Sequence, residues 1–351
     1  MKKIKHILIL GGTNFLGPLL IKSLSISTNK ITIFNRGITV PPFDMPESLN
    51  IVLGDRNKPS DIEKLFSNNE IYDTLFDFSG HVKEHVFPLF QFRKQIRHYI
   101  FCSTSAVYEY RNSALPITEI SPLIEKRGVG GKIDSYSDGK IEIENALFKG
   151  LNDKGTPVTV IRENLIFGLK SPWYFGYIFY RLSNRLPIYI FEDSQIVNTN
   201  PVFVEDVIQA FLECMSNKIS HGKIYNMGGI ELVSELDMIR LCEKISSIKA
   251  TVYKLPTLSN ALPEQRGVGF HEWGYYNLST AAITQELNYK LTPLEVSVKE
   301  IYKELMFSPS LMKEYYFRGE TIILKNYPLT FQAHLVILIL KILRWIMGFW
   351  R

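Results

Sequence analysis

The chain has 351 residues, 46% hydrophobic and 21% charged, a globular composition that excludes extended disorder and, at about 150 residues per domain, allows one large or two ordinary domains. Forty Lys and Arg against 35 Asp and Glu give a formal charge of +5. Lys341, Arg344 and Arg351, in a segment without acids, account for +3 of it, and the +2 left to the body argues against a nucleic-acid partner, because phosphate binding needs clustered positive charge.

The basic start Met1–Lys5 precedes only four apolar residues, Ile7–Leu10, too few for a secretory h-region and right for a buried strand. A glycine turn and a helical pattern through Leu16, Leu19, Leu20 and Leu24 follow. Strand-like runs at Lys30–Phe34, Asn50–Leu53, Thr74–Phe78, His98–Cys102 and Val158–Arg162 then alternate with helical stretches at Ser60–Ser67, Val82–Phe92 and Ser137–Leu151. This rhythm predicts an α/β protein with a Rossmann-type doubly wound parallel sheet. Beyond residue 168 the rhythm loosens and Pro-marked turns appear. The expected division is a dinucleotide-binding domain at 1–168, a smaller, mainly substrate-binding region at 169–328 that returns some segments to the sheet domain, and an amphipathic C-terminal helix at 329–351. Cys102, Cys214 and Cys242 are odd in number and far apart, so neither a disulfide framework nor a zinc ribbon is expected, and a reducing cytoplasm is.

Residues Ile7 to Gly17 read ILILGGTNFLG, a strand, a turn and a helix start, the context in which glycines cradle a pyrophosphate. Gly11 permits the turn and Gly17 the close packing of helix on strand. Asn14 stands where a middle glycine is usual, tolerating unusual backbone angles. After the second strand, Asn35-Arg36-Gly37 lacks the acidic residue that takes the ribose 2′-OH of NAD. Arg36 suits a 2′-phosphate instead, which favours NADP, with NAD as the alternative. Tyr136 and Lys140, four apart, share a helix face, and an ammonium beside a phenol lowers its pKa for proton exchange with a carbinol or carbonyl oxygen while hydride moves to nicotinamide.

Five motifs in order, GGTNFLG (11–17), GDR (54–56), STSAVY (103–108), YSDGK (136–140) and PVFVEDV (201–207), resemble those of the extended short-chain dehydrogenase/reductase superfamily, the NAD-dependent epimerase/dehydratases. The likeness runs from about residue 4 to 305. It is strongest to a subgroup that includes chloroplast stem-loop-binding proteins and bacterial epimerase-like reductases. The resemblance implies hydride transfer at a sugar or nucleotide-sugar carbinol, with Thr104 holding the substrate oxygen, Tyr136 as acid/base and Lys140 as its ribose-binding partner. It implies a cofactor set of Gly11, Thr13, Asn14, Phe15, Leu16, Gly17, Asn35, Arg36, Asp55, Arg56 and Ser79, joined by Tyr136 and Lys140.

Two departures narrow the chemistry. Ser105-Ala106 replaces the Asp-Glu that follows the Thr in sugar-nucleotide 4,6-dehydratases, and Leu165 replaces the Asn of an RxxNxYG pattern, leaving Asn164 as the candidate substrate contact. His81 and His85 fall at helical spacing without a third ligand, so no metal is expected. His271-Glu272-Trp273 is a candidate pocket lining or an ordinary loop, and Lys126–Lys132 a candidate phosphate cradle or a surface loop. In FQAHLVILILKILRWIMGFW (331–350), Lys341, Arg344, Gly348 and Arg351 form one face of an apolar helix. That pattern suits a membrane surface on the cytoplasmic side better than a span, and packing on the body or on a second copy, as in a homodimer, is the alternative. The rivals to the enzyme reading are an RNA-binding protein on the same fold and a cofactor-binding scaffold without turnover.

Overall fold

The computed structural model describes residues 4–27, 29–39, 46, 49–109, 113–125, 132–168, 175–191, 198–255 and 277–307. The segments 126–131, 256–276 and 308–351 lie outside the described residues, and with them the expected loop, the His271 segment and the C-terminal helix. Two compact units divide the chain: 1–166 with 200–231 and 276–292, and 167–199 with 232–275 and 293–351.

The first unit holds a seven-stranded parallel sheet. Its strands are β1 (His6–Leu10), β2 (Lys30–Asn35), β3 (Asn50–Leu53), β4 (Thr74–Asp77), β5 (Tyr99–Cys102) and β6 (Val158–Glu163), with Ile224–Met227 added at the edge beside β6. Ile7 to Leu10 and all of β4 to β6 are buried, as expected of strands covered on both faces. The outer strand β3 is different: Ile51 and Leu53 are exposed. Helices α1 (Leu16–Ser25), α2 (Pro59–Phe66) and α3 (Lys132–Gly150) follow β1, β3 and β5. The apolar stripe of α3, Ile143 and Leu147, continues through Leu151 into a core with Leu75, Tyr99, Phe101 and Val160.

Across the sheet the order is Ile224–Met227, β6, β5, β4, β1, β2, β3. The chain sets β2 and β3 on one side of β1, then crosses back to place β4 on the other, so direction reverses between β1 and β4. Ligands of open α/β sheets bind at the C-terminal ends of the strands at such a switch point.

The strands expected from sequence appear within one residue of their bounds. The helix expected at Val82–Phe92 does not form; two 3-10 segments, Lys83–His85 and Phe87–Gln95, take its place. Pro88 has no N–H for an α-helical bond and its ring crowds the preceding turn, so the tighter winding with Pro in its first turn prevails.

In the second unit, strands Ile188–Phe191 and Val252–Leu255 pair in parallel. Helices Phe175–Ser183, Glu235–Ser246 and Leu294–Phe307 pack together, with the Phe179 and Tyr302 rings 4.7 Å apart. A reciprocal cap between Ser234 and Asp237 starts the middle helix.

Candidate active site

Four features of the first unit converge on the C-terminal edge of its sheet: the turn after β1, the ends of β4 and β5, and the start of α3. Gly11 and Gly12 have φ of +97° and +89°, the left-handed region that glycine enters without a Cβ penalty. Gly17 is fixed by contact: a Cβ there would lie 2.2 Å from Cα of Gly12. Helix and turn therefore meet backbone to backbone. Asn14 is exposed, and the unusual angles expected of it fall one residue later, at Phe15 (φ 45°, ψ −95°). No side chain caps α1 and no acid stands in its first turn. The Gly17 N–H donates to the Asn14 carbonyl and Pro18 has no N–H, so what α1 offers an anion is its positive dipole end. This cradle fits a dinucleotide pyrophosphate, with Thr13 in the turn and Leu16 buried behind it.

At the end of β2, Asn35 Oδ1 accepts the Gly37 N–H at 2.7 Å and Arg36 is exposed. Asp55 Oδ1 accepts from the backbone N–H and amide of Asn57 at 3.0 and 2.8 Å, which with the nearby Arg36 charge holds its carboxyl below the usual range. Arg56 is turned inward and buried. Its Nη1 and Nη2 donate to the two oxygens of Asp77 at 2.7 and 2.8 Å, and further to Ser79 Oγ and the His85 carbonyl. Tyr99 OH and the Ser79 N–H also donate to Asp77. So many donors keep the fully buried Asp77 carboxyl far below its ordinary value despite desolvation. Ser79 stands at the switch point: a Cβ on Gly11 would meet its Cβ at 3.3 Å. His81 and His85 meet directly, the His81 N–H donating to Nδ1 of His85, whose Nε2 pairs with Asn57 Oδ1.

Thr104 ends the extended stretch after β5, its Oγ1 accepting the Ala106 N–H at 3.2 Å, and it lies near enough to Tyr136 to pull the phenol pKa down. Lys140 is buried; its Nζ donates to the Cys102 carbonyl at 2.8 Å, 4.6 Å from the Phe101 ring centre and 5.7 Å from that of Tyr136. The sequence predicts a phenol acidified by Lys140, whereas burial above all raises the Tyr136 pKa, with Cys102 and Glu163 adding to the rise and Thr104 opposing it. The ammonium is anchored at a strand-end carbonyl instead of at the hydroxyl. Gly139 between them is forced by sterics: a Cβ would lie 2.1 Å from the His81 carbonyl oxygen.

Asn164 is buried, its amide donating to the carbonyl and Oδ1 of Asn200. Asn200, which sequence reasoning passed over, in turn donates to the carbonyls of Gly229 and Leu278. It joins three distant segments, and its position directly before the PVFVEDV motif was the only available signal. Also missed were Asp77, the partner of Arg56, with Tyr99 bonded to it, and Glu163, which accepts the Cys102 thiol at 3.0 Å.

No family model matches the sequence. The chloroplast stem-loop binding protein of 41 kDa b of Arabidopsis thaliana is 29% identical over 252 residues, 68% of this chain and 63% of that protein, so the match spans less than two thirds of that relative's length. Among solved structures, the UDP-glucose 4-epimerase of Thermotoga maritima, determined with UDP-glucose, superposes with a TM-score of 0.70 at 16% identity over 86% of this chain and 99% of that one. The dTDP-glucose 4,6-dehydratase of Bacillus anthracis, determined with NAD, gives 0.71 at 16% identity over 89% and 100%. In fold the chain matches these epimerase and dehydratase structures, and the order of its motifs resembles that of the extended short-chain dehydrogenase/reductase superfamily.

Proposed function

We propose that the chain is a nicotinamide-dinucleotide-dependent oxidoreductase or epimerase acting at a carbinol carbon of a sugar or nucleotide sugar, with NADP preferred to NAD. The observation that carries this reading is the meeting of Thr104, Tyr136 and Lys140 at the edge of the sheet that also bears the glycine cradle. A bound dinucleotide supplies the hydride acceptor or donor, and in its oxidised form a positive charge that favours the phenolate. Thr104 and Tyr136 hold the substrate oxygen between their hydroxyls, and Tyr136 takes or returns its proton. Lys140, fixed at the Cys102 carbonyl, keeps a cation beside the phenol and holds the cofactor ribose. Ser105 and Ala106 supply no carboxylate for eliminating water, which favours epimerisation or reduction over dehydration. Residues 169–328 complete this reading as the substrate-binding region.

The NADP preference rests on the exposed Arg36 and on the absence of an acid at the end of β2. Fluorescence titration should show NADP binding more tightly than NAD to the wild type, and Arg36→Ala erasing the difference. Equal affinities in the wild type sink the preference and leave the reaction class standing.

The second reading, an RNA-binding protein, is favoured by the likeness to the stem-loop binding protein. Its test is RNA affinity against salt, since phosphate contacts give a steep dependence. Flat, weak binding alongside tight dinucleotide binding decides for the enzyme. Among the described residues no helix is long and apolar enough to cross a membrane. The membrane-surface role of 329–351 rests on sequence pattern alone. Flotation of full-length and truncated protein with anionic liposomes tests it: flotation lost on truncation supports the role, and a broken dimer without flotation assigns the segment to packing.

A further inference from the structure

One buried ionisable cluster is not used by the proton and hydride steps above. Strand alternation places Arg162 on the α3 side of the sheet, where its Nη2 donates to Glu144 at 2.6 Å. The next residue, Glu163, points to the opposite side, the side of Cys102, whose register partner Ile161 lies two residues before it. Glu163 is 6% exposed. Its Oε2 accepts the Cys102 thiol, while Oε1 is buried and has no hydrogen-bond partner among the described residues. A buried carboxylate oxygen without a donor is costly, and a carboxyl so placed holds a proton that an ordinary glutamate has lost.

Among the described residues, the groups acting on this carboxyl come from three elements. From β5 comes the Cys102 thiol, itself pushed up by burial; from α3 come the Lys140 ammonium and the Tyr136 phenol; the neighbouring edge strand offers Met227 opposite, which does not titrate. Asp77 acts on Cys102 and is neutralised by Arg56; Arg162 and Glu144 neutralise each other on the far face.

We propose that Glu163 is a proton-holding positioning residue of this centre, whose gain or loss of a proton on Oε1 sets the ionisation of Tyr136. With Glu163 neutral, no carboxylate charge opposes the phenolate. With Glu163 ionised, its charge disfavours the phenolate and raises Tyr136 further. Burial raises the Glu163 carboxyl to about 7, against the pull of the Cys102 bond and Lys140. The change of charge thus falls within the working range of the cytoplasm. The role rests on the oxidoreductase reading; the protonation itself does not.

The test has two arms on the full chain. In the first, pH-dependent infrared difference spectra of the wild type should show a protonated-carboxyl band disappearing near pH 7, absent from Glu163→Gln. In Cys102→Ala, which loses the donor that stabilises the charged form, the band should persist to higher pH. In the second, the pH profile of hydride transfer in the oxidising direction should have its rising limb moved to lower pH by about one unit in Glu163→Gln, with the melting temperature showing an intact fold. No titrating band, or a Glu163→Gln profile superposing on the wild type, overturns the proposal. Absent turnover with the band present overturns the oxidoreductase reading and supports the protonation of Glu163.

Discussion

At the scale of single residues, the proposed reaction pairs one proton-exchanging hydroxyl with buried charges that stay fixed. Tyr136→Phe removes only the proton-carrying oxygen, so turnover should be lost while dinucleotide affinity stays within a few-fold of wild type. Wild-type turnover in this variant would show that another group carries the proton. Asp77 belongs to the rigid class. Removing its charge by Asp77→Asn strands the buried Arg56 guanidinium, and breaking such a pair costs about 3–5 kcal/mol. Denaturant unfolding measures that loss; a change under about 1 kcal/mol would mean that Arg56 finds water or another partner. The glycines, the Tyr-Lys spacing and Thr104 were legible in the sequence because each is a local pattern. The partners of Arg56 and Glu163 were not, because they lie 21 and 61 positions away and meet only across strands.

At the scale of elements, position within the sheet is set by backbone contacts that tolerate no side chain. The His81 carbonyl 2.1 Å from a Cβ at residue 139 means that α3 and the loop after β4 define each other's place. Gly139→Ala forces one of them to shift, at about 1–3 kcal/mol. It should also slow turnover beyond what the lost stability explains, since Tyr136 and Lys140 ride on the displaced helix. Kinetics measured far below the melting temperature separate the two effects; unchanged rates would show that the loop yields and the helix does not. Strand elements were legible because short apolar runs bounded by turns alternate with helical patterns, and that rhythm marked even β3, whose Ile51 and Leu53 are exposed. The segment 82–95 was not, because its apolar spacing suits an α-helix while Pro88 alone dictates the tighter winding.

At the scale of the whole molecule, acid should act on two buried groups of the first unit in sequence. The His98 ring is buried, its Nε2 bonded to Thr159 Oγ1 at 2.8 Å while Thr159 donates to the Ser220 carbonyl, and the His221 ring lies 4.4 Å away. Burial, with the His221 and Lys5 charges, lowers its pKa to about 3. The unfolded chain, with a value of about 6.5, therefore binds the proton first. Stability from this residue is complete above about pH 6.5 and is lost as pH falls from there toward 3, by up to about 1.4 kcal/mol per unit. Asp77, with its folded value depressed, adds a second loss below about pH 4, where the unfolded carboxylate takes up its proton. Urea midpoints measured from pH 7 to 4 should fall less steeply in His98→Gln than in wild type; parallel slopes would assign the acid sensitivity elsewhere.

The interrupted course of the first unit also bears on how the protein is made. Its sheet is finished by Ile224–Met227, and Asn200, Asp206 and Thr292 tie its later segments together, the last two through hydrogen bonds of 2.9 and 2.7 Å. A ribosome releases β6 more than sixty residues before the strand that covers its edge. During that interval Val160 to Glu163 present bare backbone donors and acceptors, the state in which a nascent sheet is most open to pairing with a neighbouring chain. A fragment ending at residue 168 would keep that edge for good, so the glycine turn, although complete in sequence by then, belongs to a sheet that closes only when the chain has returned to it.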